Sequence, residues 1–180
     1  MRGMMMCATM VLLATMGLRA DVTSGPAEGQ AVPKLPVYAM FGEVTGESAD
    51  MVARRGDKAT IYCLIPAEKF SRPTYRLLKS LNEKLAAASP DVRIVAVWIT
   101  GNQEESRSYL MRAQRSLEAS LITFCVADGD ANGPAEWGFN AEADITVVVV
   151  DQGKVKRSFG FVSANETVAD EILKRLKSNE

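Results

Sequence analysis

Few side chains in this chain can do covalent chemistry. The 180 residues hold three cysteines and no histidine. Without imidazole, the commonest general base and zinc ligand are missing. Asp128, Asp130 and Asn132 make an oxygen-rich loop, but it lacks the glycine and distal glutamate of a calcium loop, so a solvated turn is expected there. No metal and no cofactor is expected. Cys63 and Cys125 sit in the apolar runs "TIYCLI" and "LITFCV", where cysteine serves as a small core residue.

The stretch "TIYCLIPAEKFSRPT", residues 60 to 74, is a β-branched run that breaks at Pro66 and restarts as a helix with Pro73 in its first turn. Strand-to-helix junctions of this kind often hold chemistry, yet residues 66 to 74 include neither cysteine nor histidine. They do include Lys69, Ser71, Arg72 and Thr74, with Arg76 one turn further on. Backbone N–H groups and the dipole of a helix start favour an anion, and flanking cations add to that, so these five residues are a candidate phosphate, sulfate or carboxylate site.

The elements that must position these residues follow from hydrophobic patterning. A chain that is 47% hydrophobic and 24% charged, with a net charge of −1, fits one globular domain and argues against nucleic acid as a partner. Residues 1 to 20 stand apart: Arg2, the acid-free run "MMMCATMVLLATMGL" containing Cys7, then Arg19 and Ala20. About 15 apolar residues fall short of the roughly 20 that span a bilayer, so a signal peptide, export to the periplasm or outside the cell, and no stable membrane span after cleavage are expected. Residues 21 to 36, rich in glycine and proline, are expected as a flexible leader, with the domain proper over 37 to 180.

From Val37 the pattern predicts a hairpin turned at Thr45-Gly46, a strand over Ala59–Ile65 and a helix over Pro73–Ala88 capped by Ser71. A buried strand, "DVRIVAVWIT", then leads to a helix over Glu104–Glu118 and a third strand, "SLITFCVAD". The short turn "GPAEWGF" and a strand pair in "DITVVVVDQGKVKRSFGF" come next. A last helix over Ala164–Leu176 opens on "SANE" as a capping box. Trp98 and Trp137 are expected in the core. Asn165-Glu166-Thr167 matches a glycosylation acceptor, though its place in the capping box explains it sufficiently.

This order, hairpin then βαβαβ then ββα, resembles the thioredoxin-like superfamily, in particular its redoxin and peroxiredoxin-like branch, over about residues 34 to 178. "WGFNAEADITVVVVDQGKV" is similar to the family's segment running from tyrosine-glycine-valine through the cis-proline to the glycine turn. The resemblance implies an α/β thioredoxin-like fold, a mixed sheet flanked by helices on both faces. It also implies a redox site at the junction, where a Cys-x-x-Cys thiol is acidified by the helix start. Lys69 and Arg72 stand where those cysteines would fall, and the peroxidatic cysteine would fall at Pro73 or Thr74. Asp144, Ile145 and Thr146 form the degenerate counterpart of the cis-proline loop. A cis bond before isoleucine would cost about 2.5 to 4 kcal/mol, so trans is expected.

In such a fold the strand over 92 to 99 separates those of Cys63 and Cys125 by about 2 × 4.8 Å, beyond the roughly 7 Å reach of a disulfide, and two free buried thiols are expected. The charged junction is then expected to be an exposed loop in which Arg72 pairs with Asp144 across the groove, with the anion site as the open alternative. The functional expectation is an exported thioredoxin-like module without thiol redox activity, whose groove takes a protein or a small anionic ligand. The competing expectation is a redoxin-type thiol oxidoreductase using Cys63 or Cys125.

Overall fold

A computed structural model describes residues 22–117 and 119–177. The expected signal peptide with Cys7, and Glu118 as a helix end, lie outside the described residues. Strands β1 (Pro36–Phe41) and β2 (Glu47–Asp50) form the expected hairpin. A short helix that the pattern did not predict, α1 (Met51–Arg55), follows β2, because the Asp50 carboxylate accepts from the N–H groups of Val52 and Ala53 and so caps it. The core then runs β3 (Thr60–Pro66), α2 (Arg72–Ala88), β4 (Arg93–Ile99), α3 (Gln103–Leu117) and β5 (Ile122–Ala127). Strands β6 (Ile145–Asp151) and β7 (Lys154–Phe161) and helix α4 (Ala169–Lys177) complete it. The β6–β7 turn places Gln152 at φ 52° and Gly153 at φ 69°, the left-handed pair that a tight hairpin turn needs.

The seven strands lie in the order β2-β1-β5-β4-β3-β6-β7. β3, β4 and β5 are parallel, while β1 and β6 run antiparallel to their neighbours. Both parallel crossovers step the same way across the sheet, so right-handed connections put α2 and α3 on one face. Leu77, Leu78, Leu81 and Leu85 of α2, Leu110 of α3 and Ile172 of α4 pack there against Ile61, Cys63, Trp98 and Phe124. The opposite face, with Tyr62, Leu64, Val97 and Cys125, is covered by Leu35, Met51 of α1 and Trp137. Helices therefore lie on both faces, as expected, but every long one lies on the same face.

Two segments depart from expectation. The last helix starts at Ala169, after a 3-10 turn over Glu166–Val168. The side-chain cap of that turn is Asn165, whose Oδ1 accepts from the Thr167 N–H at 2.9 Å, while the Glu166 carboxylate accepts from the Arg76 Nε at 3.0 Å. Asn165, two residues past Ser163, thus sets the start and takes a donor beyond the reach of the matched box.

Residues 22 to 32, within the expected flexible leader, form a strap along the outer edge of β7. Val22 bridges Gly160, Ala31 bridges Lys154, and the Gly29 and Val32 N–H groups donate to the carbonyls of Val155 and Gly153. Ser24 is buried, its hydroxyl 2.6 Å from that of Thr146 and accepting from the Asn140 N–H at 2.9 Å. Glycine and proline shape this backbone, but the unpaired edge of β7 supplies partners that composition does not reveal.

Candidate functional site

The loops after β3 and β4 gather at the C-terminal ends of parallel strands, where α/β sheets hold their ligand sites. After Pro66 the chain makes a 3-10 turn over Ala67–Lys69 and enters α2 through Ser71, in extended backbone at φ −140°. Arg72 and Pro73 open the helix, and proline is tolerated because that N–H has no intrahelical partner.

The five candidate anion ligands do not converge. Thr74 is buried, and its hydroxyl lies 3.0 Å from that of Ser71, so Ser71 spends its side chain on Thr74 and makes no side-chain bond to the helix backbone. Arg76 points to Glu166 at the start of the C-terminal segment. Lys69 Nζ donates to the Glu142 carbonyl at 2.8 Å and lies 4.0 Å from Asp144 Oδ1. Asp144 thus meets Lys69, and the expected Arg72–Asp144 pair does not form. Among the described residues Arg72 is exposed and makes no ion pair. The 3-10 turn carries Lys69 over the groove toward the 142–144 loop while Arg72, already helical, projects elsewhere.

The degenerate proline loop is built into the sheet. The Asp144 N–H donates to the Phe161 carbonyl at 2.7 Å, Ile145 pairs with Phe161, and Thr146 meets Ser24 of the strap. Every peptide bond of the described residues is trans.

Both described cysteines are free and 0% exposed. Cys63 pairs across the sheet with Ala96, and Val97 with Cys125, so β4 lies between them as expected. Alternation along the strands adds a fact the pattern left unread: Cys63 faces the long helices and Cys125 the opposite layer. Burial pushes both thiols far up from the ordinary value, with no charge nearby to counter it.

Beside the junction lies a cavity of about 340 Å³, lined by Ala67, Glu68, Phe70, Trp98, Thr100, Glu105, Ser106 and Tyr109. Phe70 and Trp98 are in ring contact at 4.6 Å, and Trp98, in the core as expected, also closes the cavity floor. Trp137 is in the core too, edge-on to Tyr62 at 5.4 Å on the other face. Asn102 and Glu105 fix the cavity's α3 wall reciprocally: Asn102 Oδ1 accepts from the Glu105 N–H at 3.1 Å, and Asn102 Nδ2 donates to Glu105 Oε2 at 3.0 Å. Sequence reasoning did not assemble this wall. Its one visible signal is Tyr109, a large ring off the buried stripe of α3 and 41% exposed.

Among the described residues no group of histidine, cysteine, aspartate and glutamate could hold a metal, and no helix is long and apolar enough to cross a membrane. Asp130 accepts from the Asn132 N–H at 2.8 Å, closing a local turn.

No family model and no curated protein matches the chain. Solved structures do match. A thiol peroxidase from Chromobacterium violaceum aligns over 87% of this chain and 89% of its own, with TM-score 0.58 and 13% identity. Reduced Prx3 from Vibrio vulnificus aligns over 82% of this chain and 98% of its own, with TM-score 0.53 and 17% identity. Yeast Sco1, solved with copper bound, aligns over 86% and 96%, with TM-score 0.55 and 14% identity. The fold is thioredoxin-like, of the kind these redoxins share.

Proposed function

We propose that this thioredoxin-like chain is an exported binding module without thiol redox activity, which engages its ligand at the surface around the junction between β3 and α2. One observation carries the reading: the two described thiols are fully buried on opposite faces of the sheet, and neither lies at the junction. Thiol–disulfide exchange and peroxide reduction both need a thiolate that a substrate can reach. The junction offers Lys69 and Arg72 in the family's cysteine positions, and neither can attack sulfur or oxygen. A cavity of small-ligand size next to that junction supplies a place to bind. The charged start, short apolar run and Ala20 of residues 1 to 20 support export.

The neighbouring folds favour a second reading, a thiol oxidoreductase, because one of them is a thiol peroxidase by name and another was solved in a reduced form. Labelling of the native protein with a thiol reagent separates the two, alongside insulin-disulfide and peroxide reduction. The module reading expects labelling only as fast as global unfolding and no turnover. Rapid labelling with turnover abolished by Cys63→Ser or Cys125→Ser would establish the enzyme instead.

A further inference from the structure

We propose that the cavity between the β3–α2 junction and α3 binds an organic cation, an ammonium or guanidinium group carried on an apolar stem. This names a ligand class for the module's binding surface and rests on that reading. The walls combine the accessible rings of Phe70 and Tyr109, backed by the buried Trp98, with the carboxylates of Glu68 and Glu105, and no cationic side chain lines them. Ring faces are negative and attract a cation, the more so when water is partly excluded. The two carboxylates add the same sign of attraction, so an anion at this place meets repulsion.

The neighbouring cation does not neutralise them. Lys69 follows Glu68 directly, yet its Nζ is held by the Glu142 carbonyl and lies near Asp144. Glu68 makes no hydrogen bond or ion pair among the described residues, and Glu105 spends Oε2 on Asn102. Glu68 thus leaves one carboxylate that the fold itself does not pair, beside apolar surface that suits a hydrocarbon stem. At about 340 Å³ it fits a small amine or one long basic side chain. The first turn of α3 also borders this space, where Asn102 Oδ1 takes the Glu105 N–H and the carboxylates of Glu104 and Glu105 offset the helix dipole.

Two sources share this chemistry, a free amine and a lysine side chain of a peptide. Isothermal titration of the full chain with isoamylamine, with acetyl-Ala-Lys-Ala-amide and with isoamyl alcohol as the neutral isostere distinguishes them. The expected result is heat with at least one cation, weaker or absent with the alcohol. The affinity should fall about tenfold in Glu68→Gln/Glu105→Gln, the loss that one charged contact of this class brings, and stay unchanged in Glu136→Gln. Glu68→Gln alone removes no bond of the fold and serves where the double variant is unstable. Binding of the amine alone assigns a small-molecule ligand, and binding of the peptide alone assigns a partner's lysine. No heat with either cation, or affinity unaltered by the Glu variants, overturns the cation site. The thiol assays decide the module reading separately, so the two can fail independently.

Discussion

The strap over β7 and the junction after β3 are the two stretches of this molecule that composition marks as irregular. "VTSGPAEGQAVPKL" and "IPAEKFSRPT" are both polar and punctuated by proline. They end up opposite in character. The strap exchanges backbone bonds with Gly160, Val155 and Gly153 and buries the Ser24 hydroxyl against Thr146. The junction is held chiefly at the tips of side chains, Lys69 on the 142–144 loop and Arg76 on Glu166, and it borders a cavity. What separates them is the partner each meets. The strap runs beside an edge strand with unpaired N–H and C=O groups, which demand satisfaction. The junction lies over the ends of parallel strands, where no ladder remains to join, and it is left free to present chemistry.

The contrast breaks most directly at Gly160. A Cβ there would lie 2.4 Å from the Val22 carbonyl oxygen and 2.8 Å from Ser24 Cβ, so neither strap nor β7 can keep its place. Gly160→Val should cost about 3 kcal/mol in urea unfolding, the upper end of overpacking penalties. Amide exchange should accelerate over residues 22 to 32 and stay unchanged over 66 to 76. Ser24→Ala should act on the same segment more mildly, by about 1 to 2 kcal/mol, since it strands the Thr146 hydroxyl and the Asn140 N–H. Unaltered protection of the strap in Gly160→Val would mean that the strap is a passive leader after all.

The same contrast explains how much was legible in the sequence. Period and apolar runs placed the seven strands and the three long helices, because burial on a sheet or along a helix stripe writes itself into neighbouring residues. Strand order came with the thioredoxin-like resemblance, and it separated Cys63 from Cys125 as the sheet does. The strap was not legible, since its partners on β7 are more than a hundred residues away and its own composition reads as loop. Nor was α1, which one Asp50 carboxylate nucleates over five residues, too few for a period. At the junction the missing cysteines were plain. The partner of Asp144 was not, because a 3-10 turn decides whether Lys69 or Arg72 faces it. Glu68, Phe70 and Tyr109 come from two elements and meet only in space.

A pH series sharpens the comparison from the core that both regions cover. Cys63 lies on the face under α2, and Cys125 on the face that Leu35 helps close. Burial raises both thiol pKa values, so from about pH 8.5 upward the unfolded chain releases protons that the folded one keeps. Stability is therefore unaffected by the thiols below that range and falls above it, by up to about 1.4 kcal/mol per pH unit for each. Urea midpoints taken on either side of pH ~8.5 should show the fall. Cys63→Ala and Cys125→Ala should each remove part of its slope, whatever they cost in packing. A slope indifferent to both variants would place an ionisable thiol in contact with solvent and reopen the oxidoreductase reading.

The smallest effect tests the junction's own wiring. Lys69 and Asp144 are each about one-third exposed, at 30% and 33%, with 4.0 Å between Nζ and Oδ1. Water screens such a pair, and its coupling should be about 0.2 to 1 kcal/mol in a double-mutant cycle with Lys69→Ala and Asp144→Ala. The parallel cycle with Arg72→Ala should give coupling indistinguishable from zero, because the guanidinium has no ion-pair partner among the described residues. All three single variants should unfold within about 1 kcal/mol of the parent, unlike Gly160→Val, since side-chain tips rather than backbone hold this region. Coupling at Arg72 and none at Lys69 would mean that the 3-10 turn over Ala67–Lys69 is rearranged in solution. Glu68 would then move with it, and the acidic wall of the cavity would no longer stand where the cation needs it.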